Sequence, residues 1–371
     1  MITIRVNGNE YSGFIEAAAS KDIEDLCGQF SFTATGYDFP IKIQDKCEIY
    51  VNGKKFLTGF VEKRHVSVNA STRTISIAGR DKLSLLVDNT VSQVYQYVGG
   101  QTLASFCRQI ISDLGLDIDI IAKKNPIIPE EDFPSCEIDT TAFEVIDDVC
   151  KRLQVLATSD ENGNLVLMSA GSEVFPTALV NEPGGDENNV LSASYDEDYT
   201  NRFYKYNVYS QDNFAELGFT PLPNTPVPPG EPAPSPEYDV LASAIDSTVS
   251  KKRKINLVMK NSYSEDQADN YAKYTSNIRR VESTQYEATM VLHQGTEGGR
   301  IWEHNKLYSI NDGYCGINTQ MLCKGITYSF SNEGETTTLL FVAKDAFKVQ
   351  ASKPFEDRSY FGDLGLGGLD L

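Results

Sequence analysis

Hydrophobic and polar positions alternate through residues 1–90. Ile2, Ile4 and Val6 occupy every second position, and Asn7-Gly8 follows, a pair suited to the two left-handed residues of a tight hairpin turn. Cys47, Ile49 and Val51 repeat the pattern before Asn52-Gly53, after which the chain turns back from Lys54 to Val61. Val66 and Val68 then face Ile75 and Ile77 across the polar stretch NASTR (69–73). Many short strands with tight turns predict a small antiparallel barrel or sandwich.

From 91 to 175 the period changes. Leu103, Phe106, Cys107, Ile110, Ile111 and Leu114 share one helical face, and Gly115 stands where a left-handed residue closes a helix. A second helix is predicted from Thr141, with Glu144 three residues on as a capping box and Ala142, Val145, Ile146, Val149, Cys150 and Leu153 inward. Asp147–Lys151 and Asp148–Arg152 are spaced as ion pairs along its outer face. ATSDENGNLVLM then reads as a hairpin around Asn162-Gly163.

Residues 176–350 return to strands: a Tyr- and Val-rich stretch at 190–212, INLVM at 255–259, and four segments after 284. One helix, about 264–280, interrupts them. Ser264 and Gln267 form its capping box, Glu265, Asp266 and Asp269 fill its start, and Arg279 and Arg280 its end; Ala268, Tyr271, Ala272 and Ile278 face inward. Residues 221–236 hold 8 of the chain's 15 prolines, so about 213–250 reads as an exposed, polyproline-like insertion. The tail, 351–371, ends in GDLGLGGLDL and reads as weakly ordered alone, with Leu364, Leu366, Leu369 and Leu371 as docking points. The expected class is α+β, mainly β: two antiparallel β-barrel-like domains (1–90 and 176–350) with a small α/β domain (91–175) between them. No internal repeat is convincing, so duplication of a barrel does not follow.

Charge narrows the functions open to this chain. Among 371 residues, 52 acids oppose 33 bases for a net charge of −19, which repels phosphate and argues against general nucleic-acid or anionic-membrane binding. No apolar run approaches the roughly 18 residues of a membrane span, and the first residues read as a strand, so no membrane anchor is expected. Cys27, Cys47, Cys107, Cys136, Cys150, Cys315 and Cys323 make an odd set without a CxxC pair, as free thiols of a reducing compartment would.

Candidate chemistry is sparse. His65, His293 and His304 are too few and too dispersed for a nucleophile relay or a two-histidine metal site. The acidic runs at 130–132, 147–148, 186–187 and 196–198 read as solvated or ion-paired charges, not as the opposed pair of a glycosidase. DENGN (160–164) puts Gly163 at the fourth position where a calcium loop needs it sixth, so a turn is expected. GGDENN and GLGG lack the strand-before, helix-after setting of a phosphate loop. KKRK (251–254), the only basic cluster, reads as a loop flank or as a docking point for an acidic surface of another copy. No catalytic, cofactor-binding or metal-binding residue is assigned, and no enzyme is expected. Tyr-rich strands leave a carbohydrate-binding or carbohydrate-active β protein as the alternative.

One further pattern has outside parallels. Residues 39–90 run P-x-K-x-x-D-x-x-E-I-x-x-N-G, then L-x-T-G-F-V-E, I-x-I-x-G-R-D and L-V-D; TAFEVIDDVCKRLQVLATSDENGNLVLMSAG follows, and MLCKGITYSFSNEGETTTLLFVAKDAF closes the strands. This resembles the baseplate hub (tail) protein family of Mu-like contractile-tailed phages, related to the N-terminal hub part of type VI secretion spike proteins, over about 1–350. The resemblance implies a structural virion protein without a cofactor. It implies a homotrimeric, pseudo-sixfold ring joining the sixfold tail tube, or a tube-terminating baseplate protein, to the threefold central spike. The tape measure protein and then DNA would pass through its channel. Assembly in the host cytoplasm is expected, with the 213–250 insertion as the candidate contact for wedge proteins. A related contractile injection machine would use the same fold.

Overall fold

The computed structural model describes residues 1–11, 13–35, 40–130, 133–134, 139–171, 173–210, 240–259, 265–295 and 299–344. Cys136, Ser264, the proline-rich stretch and the 351–371 tail lie outside the described residues, as do the side chains of Asp266 and Gln267.

Alternation at the start builds seven strands: β1 (Ile2–Val6), β2 (Asn9–Tyr11), β3 (Phe14–Asp22), β4 (Gln29–Thr35), β5 (Lys46–Val51), β6 (Lys54–Val68) and β7 (Arg73–Asp81). Asn7 and Gly8 adopt φ of 50° and 83°, and Asn52 and Gly53 φ of 48° and 77°, so both Asn-Gly pairs turn the chain as their chemistry dictates. Inward residues alternate with half-exposed ones along β1 and β7.

The middle of the chain forms α1 (Ser84–Asp88), α2 (Leu103–Asp113), β8 (Ile120–Ala122), α3 (Ala142–Arg152), β9 (Leu156–Ser159) and β10 (Leu165–Met168). Helix α2 closes on Gly115 at φ 65°: Gly115 N–H donates to Ser112 O (2.9 Å) and Leu116 N–H to Ile111 O (3.0 Å), which satisfies carbonyls the helix cannot. Helix α3 starts with both bonds of the Thr141–Glu144 capping box, and Arg152 pairs with Asp148 at 2.9 Å. The inward sets of both helices share one core with Leu165 and Leu167.

The rest comprises β11 (Leu179–Asn181), β12 (Ser192–Glu197), β13 (Lys205–Ser210), β14 (Ala242–Ile245), β15 (Lys254–Met259), α4 (Glu265–Glu282), β16 (Thr284–Val291), β17 (Leu307–Asp312), β18 (Ile317–Ser331) and β19 (Gly334–Ala343). The expected insertion reaches to 250, yet its part from 242 to 245 is a strand. β14, β13 and β15 pair with each other under α4, and a buried Arg202–Asp246 ion pair (2.7 Å) fastens this unit.

The mainly β, α+β class holds, and among the described residues no closed barrel is found. Instead 13 strands form one sheet, whose main path runs β12-β16-β19-β18-β3-β4-β7-β6-β5-β1-β2. The halves meet where β3 pairs with β18, from Asp22↔Gly325 to Ala17↔Phe330. Strand β18 is long enough for this because its first part pairs with β17 and its second, past a register shift between Cys323 and Gly325, with β3. A single hydrophobic core follows the sheet through both halves, from Ile49, Phe32 and Ile77 to Tyr286, Trp302 and Phe341. Phe56 and Tyr328 meet edge to face across the join at 5.0 Å. Among the described residues no helix is long and apolar enough to cross a membrane.

Candidate functional site

The residues that carry the family-like pattern converge on one junction. Gly79 lies where β7 approaches β6 so closely that a Cβ would sit 2.0 Å from Phe60 O; only glycine fits. Arg80 forks onto Glu62 (Nε–Oε2 and Nη2–Oε1, both 2.8 Å) and reaches Asp88 (Nη2–Oδ2, 2.6 Å), so one guanidinium ties β7 to β6 and to α1. These acids hold the Arg80 proton more tightly than usual. Asp81 is fully buried and accepts the N–H groups of Gly28 (2.8 Å) and Leu83 (3.0 Å).

Lys21 faces Asp81 from β3. Its Nζ donates to the carbonyls of Ser159 (3.2 Å) and Asp160 (2.9 Å) in the β9–β10 turn. Burial pushes the lysine pKa down and the aspartate pKa up, and the two opposite charges offset each other's shift. Sequence reasoning missed this lysine. The signal was its register: Ala17, Ala19 and Lys21 are alternate inward positions of one strand, and a lysine there needs partners.

DENGN is a docking turn. Asp160 spends its carboxylate on the N–H groups of Asn162 and Asn164 (2.8 Å each) and on Asn164 Nδ2 (3.0 Å). Gly163 has φ 75°, and a Cβ on it would lie 2.5 Å from Lys82 Cβ. Thr58 Oγ1 donates to Glu161 O at 2.9 Å. The two motifs, GRD and D-x-x-G-N-L-V-L, therefore belong to one contact between the first β half and the α/β unit.

The expected chemistry finds these places. His65 is exposed on β6. His293 is buried with Nδ1 3.1 Å from Thr337 Oγ1, and desolvation pushes its pKa down to about 4. Desolvation, with help from Lys21 and Lys306, brings His304 to about 3, so both rings are neutral at pH 7. Cys27, Cys47, Cys107, Cys150, Cys315 and Cys323 are free thiols; burial pushes Cys27 and Cys107 up to about 12, far from the reactive range. Among the described residues no three His, Cys, Asp or Glu side chains could hold a metal ion. In the KKRK run, Arg253 is occupied by the carbonyls of Tyr199 and Thr200, while Lys251, Lys252 and Lys254 are exposed.

The β3–β18 join carries a cleft lined by Asp22, Asp25, Glu287, Gly325 and Thr338, among others. Burial pushes Asp22 up to about 7, against the pull of Lys324, which is itself paired with Glu24.

Comparison with known proteins places the junction. Residues 1–81 match the family described as Mu phage baseplate assembly protein GpP-like, N-terminal, and residues 84–169 match the baseplate hub protein gp44-like second domain. Both matched segments are thus similar to domains of Mu-like phage baseplate proteins. The baseplate hub protein gp44 of Escherichia phage Mu is 24% identical over 385 residues, covering 100% of this chain and 94% of that protein. The 43 kDa tail protein of prophage MuSo2 from Shewanella oneidensis shares the fold at a TM-score of 0.77 and 22% identity, over 95% of this chain and 99% of that one. So, more distantly, does an E. coli type VI secretion component described as structurally similar to the T4 tail proteins gp27 and gp5: TM-score 0.50, 8% identity, 92% of this chain and 76% of that one. The GRD–hairpin junction lies between the two matched segments.

Proposed function

We propose that three copies of this hub protein close into a pseudo-sixfold ring between the sixfold tail tube, or a tube-terminating baseplate protein, and the threefold central spike. The observation that carries this reading is the edge-to-edge fusion of two β halves by β3 and β18. One chain so built offers two strand-rich lobes, and three chains offer six. The proposed units are the β halves 1–90 and 176–350 and the α/β unit 91–175. A threefold spike meets three chains, while a sixfold tube meets six lobes, so the ring resolves the mismatch of symmetry. Likeness to a type VI secretion component supports the spike as a partner.

The tape measure protein and then DNA pass through the channel, and the net charge of −19 favours a wall to which DNA does not adhere. Wedge proteins are the proposed partners of the 213–250 insertion. The ring assembles in the host cytoplasm before joining the virion. Electron-microscope class averages of the purified protein, alone and with the spike from the same phage, test this reading. The expected particle is a ring with threefold symmetry and six outer lobes. Single-chain particles in both samples would overturn it.

A further inference from the structure

Among the described residues, helix α4 packs on one face of the three-stranded sheet. Tyr206, Val208 and Ala244 turn inward with Ile255 and Leu257 toward Ala268 and Tyr271 of α4. The alternate positions face away. Strand register sets Ile245, Lys205 and Lys254 in one row and Ser243, Asn207 and Asn256 in the next. Two lysines thus lie side by side on neighbouring strands, an arrangement that costs stability when nothing neutralises it. Neither makes an ion pair among the described residues, and neither do the exposed Lys251 and Lys252 just before β15. Ile245 beside them is 60% exposed and Val258, further along β15, 48%. Four unneutralised cations around exposed aliphatic side chains, in a chain of net charge −19, form a surface that an acidic protein would cover.

A surface of the right kind is present on the same molecule. The turn between β11 and β12 is rigidly built: Asn188 Oδ1 accepts Glu182 N–H (2.7 Å), Asn188 Nδ2 donates to Glu182 O (2.8 Å), and Gly185 N–H donates to the same carbonyl (3.0 Å). At its tip Asp186 and Glu187 are exposed and make no ion pair among the described residues. A basic face and an acidic tip at different places on one chain are what a head-to-tail ring contact requires.

We propose that the outer face of the β14–β13–β15 sheet, through Lys205 and Lys254 with Lys251 and Lys252 at its margin, receives the 182–189 turn of the next copy in the ring. This rests on the trimeric reading above. The contact is charged at its rim and apolar beside it, so it weakens with salt.

The experiment is sedimentation velocity over a concentration series on four full-length proteins: wild type, Lys205→Glu/Lys254→Glu, Asp186→Lys/Glu187→Lys, and the chain carrying all four substitutions. The expected result is a trimeric wild type, a rise of at least about tenfold in the concentration for half-assembly of each double variant, and recovery of the trimer when the charges are exchanged together. Far-UV circular dichroism of each variant confirms the fold. A trimeric wild type whose double variants assemble at the same concentration overturns this contact and leaves the ring standing. A wild type that is monomeric throughout removes the ring itself.

Discussion

At the scale of single residues, stability at the junction depends on paired buried charge. Lys21 and Asp81 are both buried and attract each other's charge; Lys21 also holds two carbonyls of the β9–β10 turn, and Asp81 the N–H groups of Gly28 and Leu83. Removing one partner leaves the other buried and uncompensated. Lys21→Met and Asp81→Asn are each expected to cost about 3–5 kcal/mol, and the double variant less than their sum. Urea unfolding of the three proteins checks this; additive losses would show that the two side chains act independently. Asp22 has the opposite character, a carboxyl that burial makes reluctant to ionise, with its pKa near 7 against an ordinary 3.8. The folded state binds the proton that the unfolded state has released, so its stabilising contribution is full below pH 3.8 and is lost as pH rises toward 7. His293, lowered to about 4, opposes it: the unfolded state takes up its proton first, so that contribution falls as pH drops from 6.5 toward 4. Asp22→Asn isolates the first effect. It is expected to match the wild type in thermal stability near pH 4 and exceed it at pH 8; a difference constant across that range contradicts the assignment. Neither Lys21 nor Asp22 stands out in composition. Lys21 is legible only by its inward register, and the shift at Asp22 depends on β18, which arrives from more than three hundred residues away.

At the scale of elements, local signals were reliable wherever the contact was local. Both Asn-Gly turns, the Thr141–Glu144 cap, the glycine close of α2 and the Asp148–Arg152 pair follow from side chains within four or five positions of one another. Thr141→Ala removes an acceptor for a free N–H at the start of α3 and is expected to cost about 1 kcal/mol; a melting curve unchanged by it would show that the cap is redundant with packing. The pairing of β3 with β18 had no such signal. Alternation says that each is a strand and which face is inward, but not which strand lies beside it. That is why two β halves could be read from the sequence but not the sheet they share. The outermost strands of its main path also show how the sheet avoids random pairing: β2 is only three residues long, and β12 carries Asp196 and Glu197.

At the scale of the whole molecule, the fused sheet, the single core through both halves and the family match over residues 1–169 form one account. The motifs legible in sequence, GRD and D-x-x-G-N-L-V-L, are the two sides of a contact that fixes the α/β unit on the first β half. Their spacing in the chain hides that Lys82, just after GRD, lies against Gly163 of the hairpin. The ring is the central claim, and the most direct test is the solution mass of the purified full-length protein by light scattering over a wide concentration range. The account predicts a plateau at three times the 41.1 kDa chain mass. A mass of 41.1 kDa at every concentration would contradict it.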